Sequence, residues 1–495
     1  MGWDALMAYC LLTGAAGLLG SYLLRGCLIA GHRMAVLVRP ARGESARRRI
    51  DAILARWETE TNQLLPRAVV FEGDLRRPDL GLGASDRRWI GRHCRAVIHS
   101  AARLTFYGTD PQREPWISNV EGTRHVLELC RQCGIPEFHH VSTAYVCGLR
   151  EGRILETELD VGQETGNDYE RSKIEAEKLV LSAGLEHPPT IYRPSIIVGD
   201  SQTGYTSTFH GFYAMVRLAH TLVRQMVLGS ITADQMMETF HIDGHERKDY
   251  VPVDWVAAAI THLLGRPEHH GRTYHLTAAE PTPVAVWSRA IQHAVERYST
   301  LADPSDPTIR DAQWFADLFR EQAKIYRAYW RDDPQFDRTN TVAALAHLPC
   351  PTVDYDMLLR MARFAIQTNF GRRERKPSPL NGDIRTHLRQ FLEANDAHGQ
   401  EQSWSTSLGL EVSGHGGGQW KLLARDGRVR AAEEGIHDQC GAIFHLTSDT
   451  FHRLADRQLS VSQAVLSGQV AISGTGTRPD VLETLLQSVV TPENE

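Results

Sequence analysis

The stretch Ala8–Gly20 reads AYCLLTGAAGLLG and decides the fold that we expect for this chain. Residues 8–13 form a short apolar run, which is typical of a buried strand, and an apolar helical pattern begins soon after it. Gly14, Gly17 and Gly20 punctuate the turn between the two. Glycine at these positions permits a tight turn, a close approach of the backbone to a pyrophosphate, and close packing of the helix on the strand. The stretch therefore predicts a dinucleotide-binding site where the first strand meets the first helix.

The alternation of strand and helix continues to about residue 200. Further apolar runs, each typical of a buried strand, occur at residues 34–38, 68–71, 96–99, 138–141 and 191–192. Helical patterns lie between them, for example over residues 120–133 and 169–183. This alternation predicts an α/β fold with a doubly wound parallel (Rossmann) sheet. We expect the Rossmann core at residues 5–200 and a cap on the substrate side at residues 201–370, with helices near 310–331 and 354–368.

The composition changes after residue 370. Residues 371–384 are charged and carry proline and glycine, so they are the best candidate for a linker. Strand patterns follow at residues 404–412, 419–424, 429–432, 443–446 and 470–472, with a glycine turn at 415–418. Helical patterns follow at residues 448–456, 460–467 and 479–489. Residues 385–490 are therefore expected to form a separate, smaller α+β domain.

Charge and composition exclude several classes of protein. The 54 basic and 60 acidic residues leave a net charge of −6, so no basic excess points to nucleic acid. Eight cysteines without regular spacing do not indicate a disulfide framework, and we expect a reducing, cytoplasmic compartment. Residues 5–24 are uncharged and long enough to span a bilayer. The spaced glycines explain this stretch better, so we expect no transmembrane segment.

The residues after the second strand bear on the choice of cofactor. Enzymes that use NAD usually place Asp or Glu there to hold the ribose 2′-hydroxyl. This chain instead has Val38-Arg39-Pro40-Ala41-Arg42. Arg39, with Arg42 nearby, would hold a 2′-phosphate by charge-assisted hydrogen bonds, and we therefore expect NADPH. The alternative is that both arginines are solvated surface residues.

A Tyr-x-x-x-Lys pattern lies about 150 residues after the glycine turn, at Tyr169 and Lys173. On a helix these two residues are i and i+4 and share one face. A cation there favours the phenolate, so we expect Lys173 to lower the pKa of Tyr169. Tyr169 could then exchange a proton with a carbonyl oxygen. Ser142-Thr143 ends the intervening strand, and this strengthens the functional interpretation. The Tyr-x-x-x-Lys pattern taken alone would indicate only an ordinary exposed helix.

Together these motifs resemble the extended short-chain dehydrogenase/reductases over residues 8–300. The resemblance is closest to the thioester reductase and fatty acyl-CoA reductase branch of that superfamily. The matching pieces are Thr13–Gly20, Asp74-Leu75, Ser100–Ala102, Asn119–Thr123, His140–Val146, Tyr169 with Lys173, Arg193–Asp200 and Asp249–Asp254.

The resemblance implies roles for individual residues. Thr143 binds the substrate carbonyl, Tyr169 is the acid, and Lys173 holds the nicotinamide ribose. Asp74 and Leu75 contact the adenine. The remaining cofactor contacts implied are Gly14, Gly17, Leu18, Gly20, Arg39, Ser100, Ala101 and Pro194.

Residues 385–490 resemble the sterol carrier protein family, which implies an α+β domain with an apolar tunnel for lipid. The resemblance rests on Phe444–Asp449 and Ala464–Gly474. The alternative is a packing domain that binds nothing.

These observations predict an NADPH-dependent reductase of an apolar acyl thioester, carried on coenzyme A or on an acyl or peptidyl carrier protein. The product would be the aldehyde, with the alcohol after a second step. Two alternatives stay open: a dehydrogenase or isomerase of a sterol-like or sugar alcohol, and a non-catalytic lipid-binding redox sensor. We expect no metal, because His139-His140 and His269-His270 lack the spacing of ligands.

Overall fold

A computed structural model describes residues 8–41, 44–106, 108, 110–225, 232–234, 237, 243–299 and 331–371, together with shorter segments between residues 406 and 473. The chain divides into two compact units, and each is described by itself. The first unit comprises residues 1–208, 242–287 and 325–361, and the second comprises residues 209–241, 288–324 and 362–495.

The first unit is organised around a parallel sheet. The strands of this unit are β1 (Tyr9–Thr13), β2 (Arg33–Val38), β3 (Val69–Glu72), β4 (Cys94–His99), β5 (Glu137–Val141), β6 (Arg153–Ile154), β7 (Thr190–Pro194), β8 (Ile196–Val198), β9 (Arg247–Lys248), β10 (Tyr250–Pro252), β11 (Thr273–Leu276), β12 (Thr282–Pro283) and β13 (Gln335–Phe336). Seven of these described strands form the central sheet, in the order β11-β7-β5-β4-β1-β2-β3, with every neighbouring pair parallel. The predicted doubly wound parallel sheet is confirmed.

The α-helices described in the whole chain are α1 (Leu18–Ile29), α2 (Ala46–Thr61), α3 (Ala84–His93), α4 (Gly122–Cys133), α5 (Asp168–Leu181), α6 (Phe212–Gln225), α7 (Val253–Leu264), α8 (Val284–Tyr298), α9 (Thr339–Leu345), α10 (Tyr355–Gln367) and α11 (Ser448–Ala455). Among them, α1 to α5 and α7 cover the two faces of the central sheet. Successive residues of a strand point to opposite faces, so Leu12 packs with α1, α2 and α7 while Leu11 packs with α3, α4 and α5. Complete burial of such a leucine contributes about 1.5–3 kcal/mol.

One strand of the sheet was not expected. The sequence predicts six strands, whereas the sheet contains β11 as well, which pairs with β7 through Tyr274↔Tyr192 and its neighbours. Residues 273–276, TYHL, form too short and too polar a run to be identified by periodicity. His275 of β11 is fully buried. The strand closes one edge of the core.

The C-terminal part of the second unit contains a mixed sheet. Its described strands are β14 (Thr406–Ser413), β15 (Gly418–Arg425), β16 (Arg428–Glu434), β17 (Ala442–Thr447) and β18 (Val470–Ser473), in the order β16-β15-β14-β17-β18. Leu408, Leu410 and Val412 are buried at alternate positions of β14. The five predicted strands of this region are therefore found, with Trp404 outside the described residues.

Several predictions fall on residues that the structure does not describe. They are the linker after Gly371, most of the glycine turn at 415–418, and the helices at 310–331, 460–467 and 479–489, of which only Arg331, Ser460 and residues 463–464 are described. The domain boundaries remain predictions. Among the described residues no helix is long and apolar enough to cross a membrane, and α1, which begins inside the apolar stretch 5–24, has 12 residues. All eight cysteines are described and are free thiols.

Candidate active site

The glycine turn lies where the order of the sheet reverses, between β1 and β4, which is where open α/β sheets bind dinucleotides. Gly14 has a φ of +79°, and a Cβ there would lie 2.8 Å from the amide nitrogen of Ala101. A Cβ on Gly20 would lie 2.0 Å from the carbonyl oxygen of Gly14. Only glycine fits either position. The turn after β1 thus contacts Ser100 and Ala101 after β4, as a shared cofactor cradle requires.

A chain of buried hydrogen bonds holds the ends of β1 and β4 together. The Thr123 hydroxyl donates to Asn119 O at 2.6 Å, so it accepts from His99 Nε2 at 3.0 Å. His99 Nδ1 is then the acceptor for the Thr13 hydroxyl at 2.8 Å, and Thr13 Oγ1 accepts from the Ala101 amide at 3.3 Å. Burial, reinforced by Lys173, lowers the pKa of His99 to about 3, so the ring is neutral. Sequence reasoning missed His99, because nothing local marks it as more than a strand residue.

Asn119 connects the loop after β4 to the helix that carries the Tyr-x-x-x-Lys pattern. Its Oδ1 accepts from the Arg103 amide at 2.7 Å, and its Nδ2 donates to Arg103 O at 3.1 Å. The same Nδ2 donates to Ser172 Oγ at 2.9 Å, and that hydroxyl donates to Tyr169 O. Asn119 is 1% exposed, so these bonds are made away from water and orient the first turn of α5.

The beginning of α5 is well capped. The Asn167 side chain accepts from the Glu170 amide at 2.9 Å, and Asp168 Oδ2 accepts from the Gly108 amide at 2.9 Å. Lys173 is 3% exposed, and its Nζ donates to Val141 O, the last residue of β5, at 2.8 Å. The predicted helical pairing of Tyr169 and Lys173 on α5 is thus present, and Lys173 lies against the carboxyl end of β5.

Thr143 lies two residues beyond that carbonyl. Its hydroxyl donates to Pro194 O at 3.4 Å and accepts from the Tyr145 amide at 3.3 Å. Because β5 and β7 are parallel neighbours, their carboxyl ends place Thr143 beside Pro194. The structure therefore gathers Thr143, Lys173 and Pro194 at the edge of the sheet where the glycine turn also lies.

The pKa of Tyr169 differs from our expectation. We expected Lys173 to lower it, and this is wrong for the structure. Burial raises the pKa of Tyr169 above its usual range, and Glu170 raises it further. Burial also lowers the pKa of Lys173 to about 8, although Glu177 opposes that change. Tyr169 is therefore a protonated phenol, which suits a proton donor.

Glu177, one turn after Lys173, forms a buried ion pair with Arg193 of β7. Arg193 Nη2 lies 2.5 Å from Glu177 Oε1, and the two side chains are 2% and 0% exposed. Arg193 Nη1 also donates to Glu158 O at 2.7 Å and to His275 Nε2 at 3.3 Å. The pair joins α5 to the sheet, and sequence reasoning missed Glu177 because its partner is on another element.

The residues that we expect near the adenosine of the cofactor include Arg39, Asp74 and Leu75. Arg39 follows β2 and is exposed, and Arg42 lies outside the described residues. Asp74 accepts a hydrogen bond from Arg76 at 2.7 Å, and this bond lowers the pKa of the Asp74 carboxyl. The charge of Arg39 makes a smaller contribution in the same direction. The carbonyl oxygen of Leu75 accepts from His125 Nδ1 at 2.7 Å. Leu18 is buried at the start of α1. Arg39 is thus near enough to Asp74 to affect its pKa, and Arg76 is ion-paired with Asp74.

Comparison with known families gives the wider context. The NAD-binding family described as male sterility protein matches residues 12–260, which is half of the chain. The chain belongs to this family. Membership implies a nicotinamide cofactor and places the chain among oxidoreductases of the thioester reductase type, as the resemblance to short-chain dehydrogenase/reductases predicts.

Two curated proteins that are similar to this chain come from fungi. Aldehyde reductase lnaA of Aspergillus flavus is 26% identical over 411 residues, which cover 75% of this chain and 37% of that protein. Non-canonical nonribosomal peptide synthetase cpsA of Aspergillus campestris is 29% identical over 280 residues, which cover 54% of this chain and 25% of that protein. The chain thus spans well under half the length of these relatives.

Two solved structures are similar to the family member described here. The terminal R domain from the myxalamid PKS-NRPS biosynthetic pathway is 25% identical, with a TM-score of 0.56, and 74% of this chain covers 92% of that one. A thiolation-reductase di-domain from an archaeal non-ribosomal peptide synthetase is 21% identical, with a TM-score of 0.54 and coverage of 74% and 76%. The second comparison supports the fold alone.

Proposed function

We propose that the protein reduces an acyl thioester to an aldehyde, with NADPH as the reductant. The observation that carries the proposal is the position of buried Lys173, which shares α5 with Tyr169, at the carboxyl end of β5. Lys173 is buried and hydrogen-bonded to the carboxyl end of β5, and Thr143 lies two residues further on. These residues would supply a carbonyl reduction with a proton donor, a second hydroxyl and a cation.

A bound nicotinamide cofactor would supply the hydride for the thioester carbon. The chain's own residues stabilise the charge that then develops on the carbonyl oxygen. Tyr169 Oη and Thr143 Oγ1 donate hydrogen bonds to this oxyanion, each worth a few kcal/mol, about 3–4 in the best cases. The carbon–sulfur bond of the hemithioacetal then breaks, and the thiol and aldehyde leave. Lys173 holds the nicotinamide ribose in this proposal, and Tyr169, which is a protonated phenol, gives its proton to the oxyanion.

The relatives favour a substrate whose acyl group is bound to a carrier protein. A non-canonical nonribosomal peptide synthetase is among the curated relatives, and the R domain of a PKS-NRPS pathway is among the similar structures. We therefore propose an acyl or peptidyl carrier protein as the partner, with the coenzyme A thioester as a simpler substitute. Arg39 supports the preference for NADPH, because it is exposed directly after β2, where enzymes that use NAD usually carry Asp or Glu.

Free-thiol release tests this function most directly. The full chain is mixed with NADPH and an acyl thioester on a carrier protein or on coenzyme A, and thiol and NADPH are measured together. We expect one thiol for each NADPH at the aldehyde stage, and two NADPH for each thiol if the alcohol is formed. A dehydrogenase or isomerase of an alcohol would release no thiol. A redox sensor would consume no NADPH beyond one equivalent of protein.

We propose lipid binding by the C-terminal domain, residues 385–490, with the five-stranded sheet as its framework. The support is the apolar face of that sheet, where Leu408, Leu410, Trp420, Phe444 and Leu446 are buried. A chain that ends near residue 379 should still reduce a short acyl thioester and lose efficiency with long ones, since burial of each methylene is worth about 0.8 kcal/mol. Equal losses with short and long substrates would indicate a structural domain.

A further inference from the structure

Three polar side chains converge at the end of the sheet opposite Thr143. Glu137 and His139 project from the same face of β5, because they are two residues apart on one strand. His270 lies in the turn between α7 and β11. One ring nitrogen of each histidine and one oxygen of the carboxylate lie within 4.8 Å of one another. The parallel order β5-β7-β11 brings this turn of the chain to β5.

The hydrogen bonds around the two rings determine which atoms face the centre of the cluster. His270 Nε2 donates to Leu263 O at 3.0 Å, so Nδ1 carries the lone pair, and it lies 3.7 Å from Glu137 Oε2. His139 Nδ1 is bonded to the Tyr192 hydroxyl at 2.9 Å. His139 Nε2 is buried and has no hydrogen-bond partner among the described residues, in a side chain that is 1% exposed.

His270 Nδ1 and Glu137 Oε2 are thus acceptors that lie close to each other. His139 Nε2 is the third acceptor when Nδ1 of that ring donates to the Tyr192 hydroxyl. A buried polar atom without a partner costs free energy, and a cation bound to His139 Nε2 removes that cost. The rings meet edge to face, with centroids 4.7 Å apart and an angle of 86° between their planes, so both nitrogens can approach a common point.

We propose that Glu137, His139 and His270 bind a divalent transition metal of the zinc class. Two imidazoles and one carboxylate are a known ligand set for Zn²⁺, with bonds of about 2.0–2.2 Å and a fourth position open to water. Such bonds set tetrahedral ligand atoms about 3.3 Å apart, and the 3.7 Å between His270 Nδ1 and Glu137 Oε2 is close to that. The carbonyl oxygen of Leu263 and the hydroxyl of Tyr192 would then orient the two rings as outer ligands.

The proposed metal is separate from the reduction, and its effect would be to stabilise the sheet. His139 precedes Thr143 by four residues of extended chain, or about 13 Å at 3.3 Å per residue. The site joins β5 to the turn that leads into β11, so the metal ties the edge strand of the sheet to its centre. Glu137 is one-third exposed, which provides a path from solvent for the ion.

The test uses the full chain without a histidine tag, treated with a chelator and then titrated with Zn²⁺ alone. We expect one Zn²⁺ per chain, bound at least tenfold more weakly by His270→Ala and by Glu137→Gln. His293→Ala, which changes an exposed histidine of α8, is the matched control and should bind as the wild type does. Co²⁺ should give the visible absorption of a tetrahedral site in the wild type and in the control, and not in the two ligand variants.

Thermal unfolding gives a second readout that does not depend on activity. Zn²⁺ should raise the Tm of the wild type and of His293→Ala, and leave the Tm of His270→Ala unchanged. His270 and Glu137 are partly exposed, so His270→Ala and Glu137→Gln should fold. The buried His139 is left unchanged in this test. Equal, weak Zn²⁺ binding by all four proteins, or a Tm rise that survives His270→Ala, would overturn the proposal.

Discussion

The buried pair between Glu177 and Arg193 gives the sharpest test of how the sheet positions the catalytic helix. Glu177→Gln keeps the size of the side chain and one acceptor oxygen, but it leaves the Arg193 charge without a counter-ion. Both side chains are at most 2% exposed, so water cannot replace the lost charge. Breaking a pair of this kind costs about 3–5 kcal/mol. For a unit of this size each kcal/mol lowers the Tm by about 2–4 °C, so we expect a fall of at least about 6 °C.

An exposed pair provides the control for this prediction. Glu128 lies 3.3 Å from Arg131 on α4, and the two side chains are 51% and 47% exposed. Glu128→Gln should change stability by no more than about 1 kcal/mol. The double variant Glu177→Leu with Arg193→Met should be more stable than Glu177→Gln, because it leaves no unpaired buried charge.

The same substitution should also change the dependence of activity on pH. Glu177 raises the pKa of Lys173 and so opposes the burial that lowers it to about 8. Without that carboxylate the pKa of Lys173 falls further, and the ammonium is lost at a lower pH. The alkaline limb of kcat/KM should therefore move to lower pH in Glu177→Gln and stay in place in Glu128→Gln. Wild-type stability together with an unmoved alkaline limb would refute the positioning role of Glu177.

Three further predictions concern the site and the buried histidines. Tyr169→Phe should bind NADPH nearly as well as the wild type and turn over about 10²–10⁴-fold more slowly, and near-normal turnover would remove Tyr169 from the mechanism. Arg39→Asp should shift the ratio of the KM values for NADPH and NADH toward NADH, and an unchanged ratio would leave Arg39 without a role. Burial lowers the pKa of His99 to about 3 and of His275 to about 4, whereas both would titrate near 6.5 when unfolded. Between the folded and unfolded pKa values the unfolded chain binds more protons than the folded chain, so the urea concentration at the midpoint of unfolding should fall as the pH drops below about 6.5. The fall should be less steep in His99→Gln. A fall as steep as that of the wild type would contradict the lowered pKa of His99.

The sequence determined the parts of this protein that depend on neighbours in the chain. The glycine turn from Gly14 to Gly20 is one such part, because the backbone itself must pass close to the residues that follow. The pairing of Tyr169 and Lys173 is another, because the helical repeat alone puts residues i and i+4 on one face. The short, largely apolar runs at β1, β2, β3, β4, β5 and β7, alternating with helical patterns, predicted the parallel sheet, since the strands of such a sheet are covered on both faces.

Tertiary structure decided everything that depends on partners far apart in the chain. Local pattern could not reveal that Glu177 meets Arg193, because their contact depends on how α5 packs on β7. The pKa of Tyr169 also went against the local argument, since burial raises it and Glu170 raises it further. His139 and His270 lack ligand spacing in the sequence, and only the order of β5, β7 and β11 brings them together. Sequence spacing reports contacts within one element, whereas the packing of the sheet creates the contacts between elements.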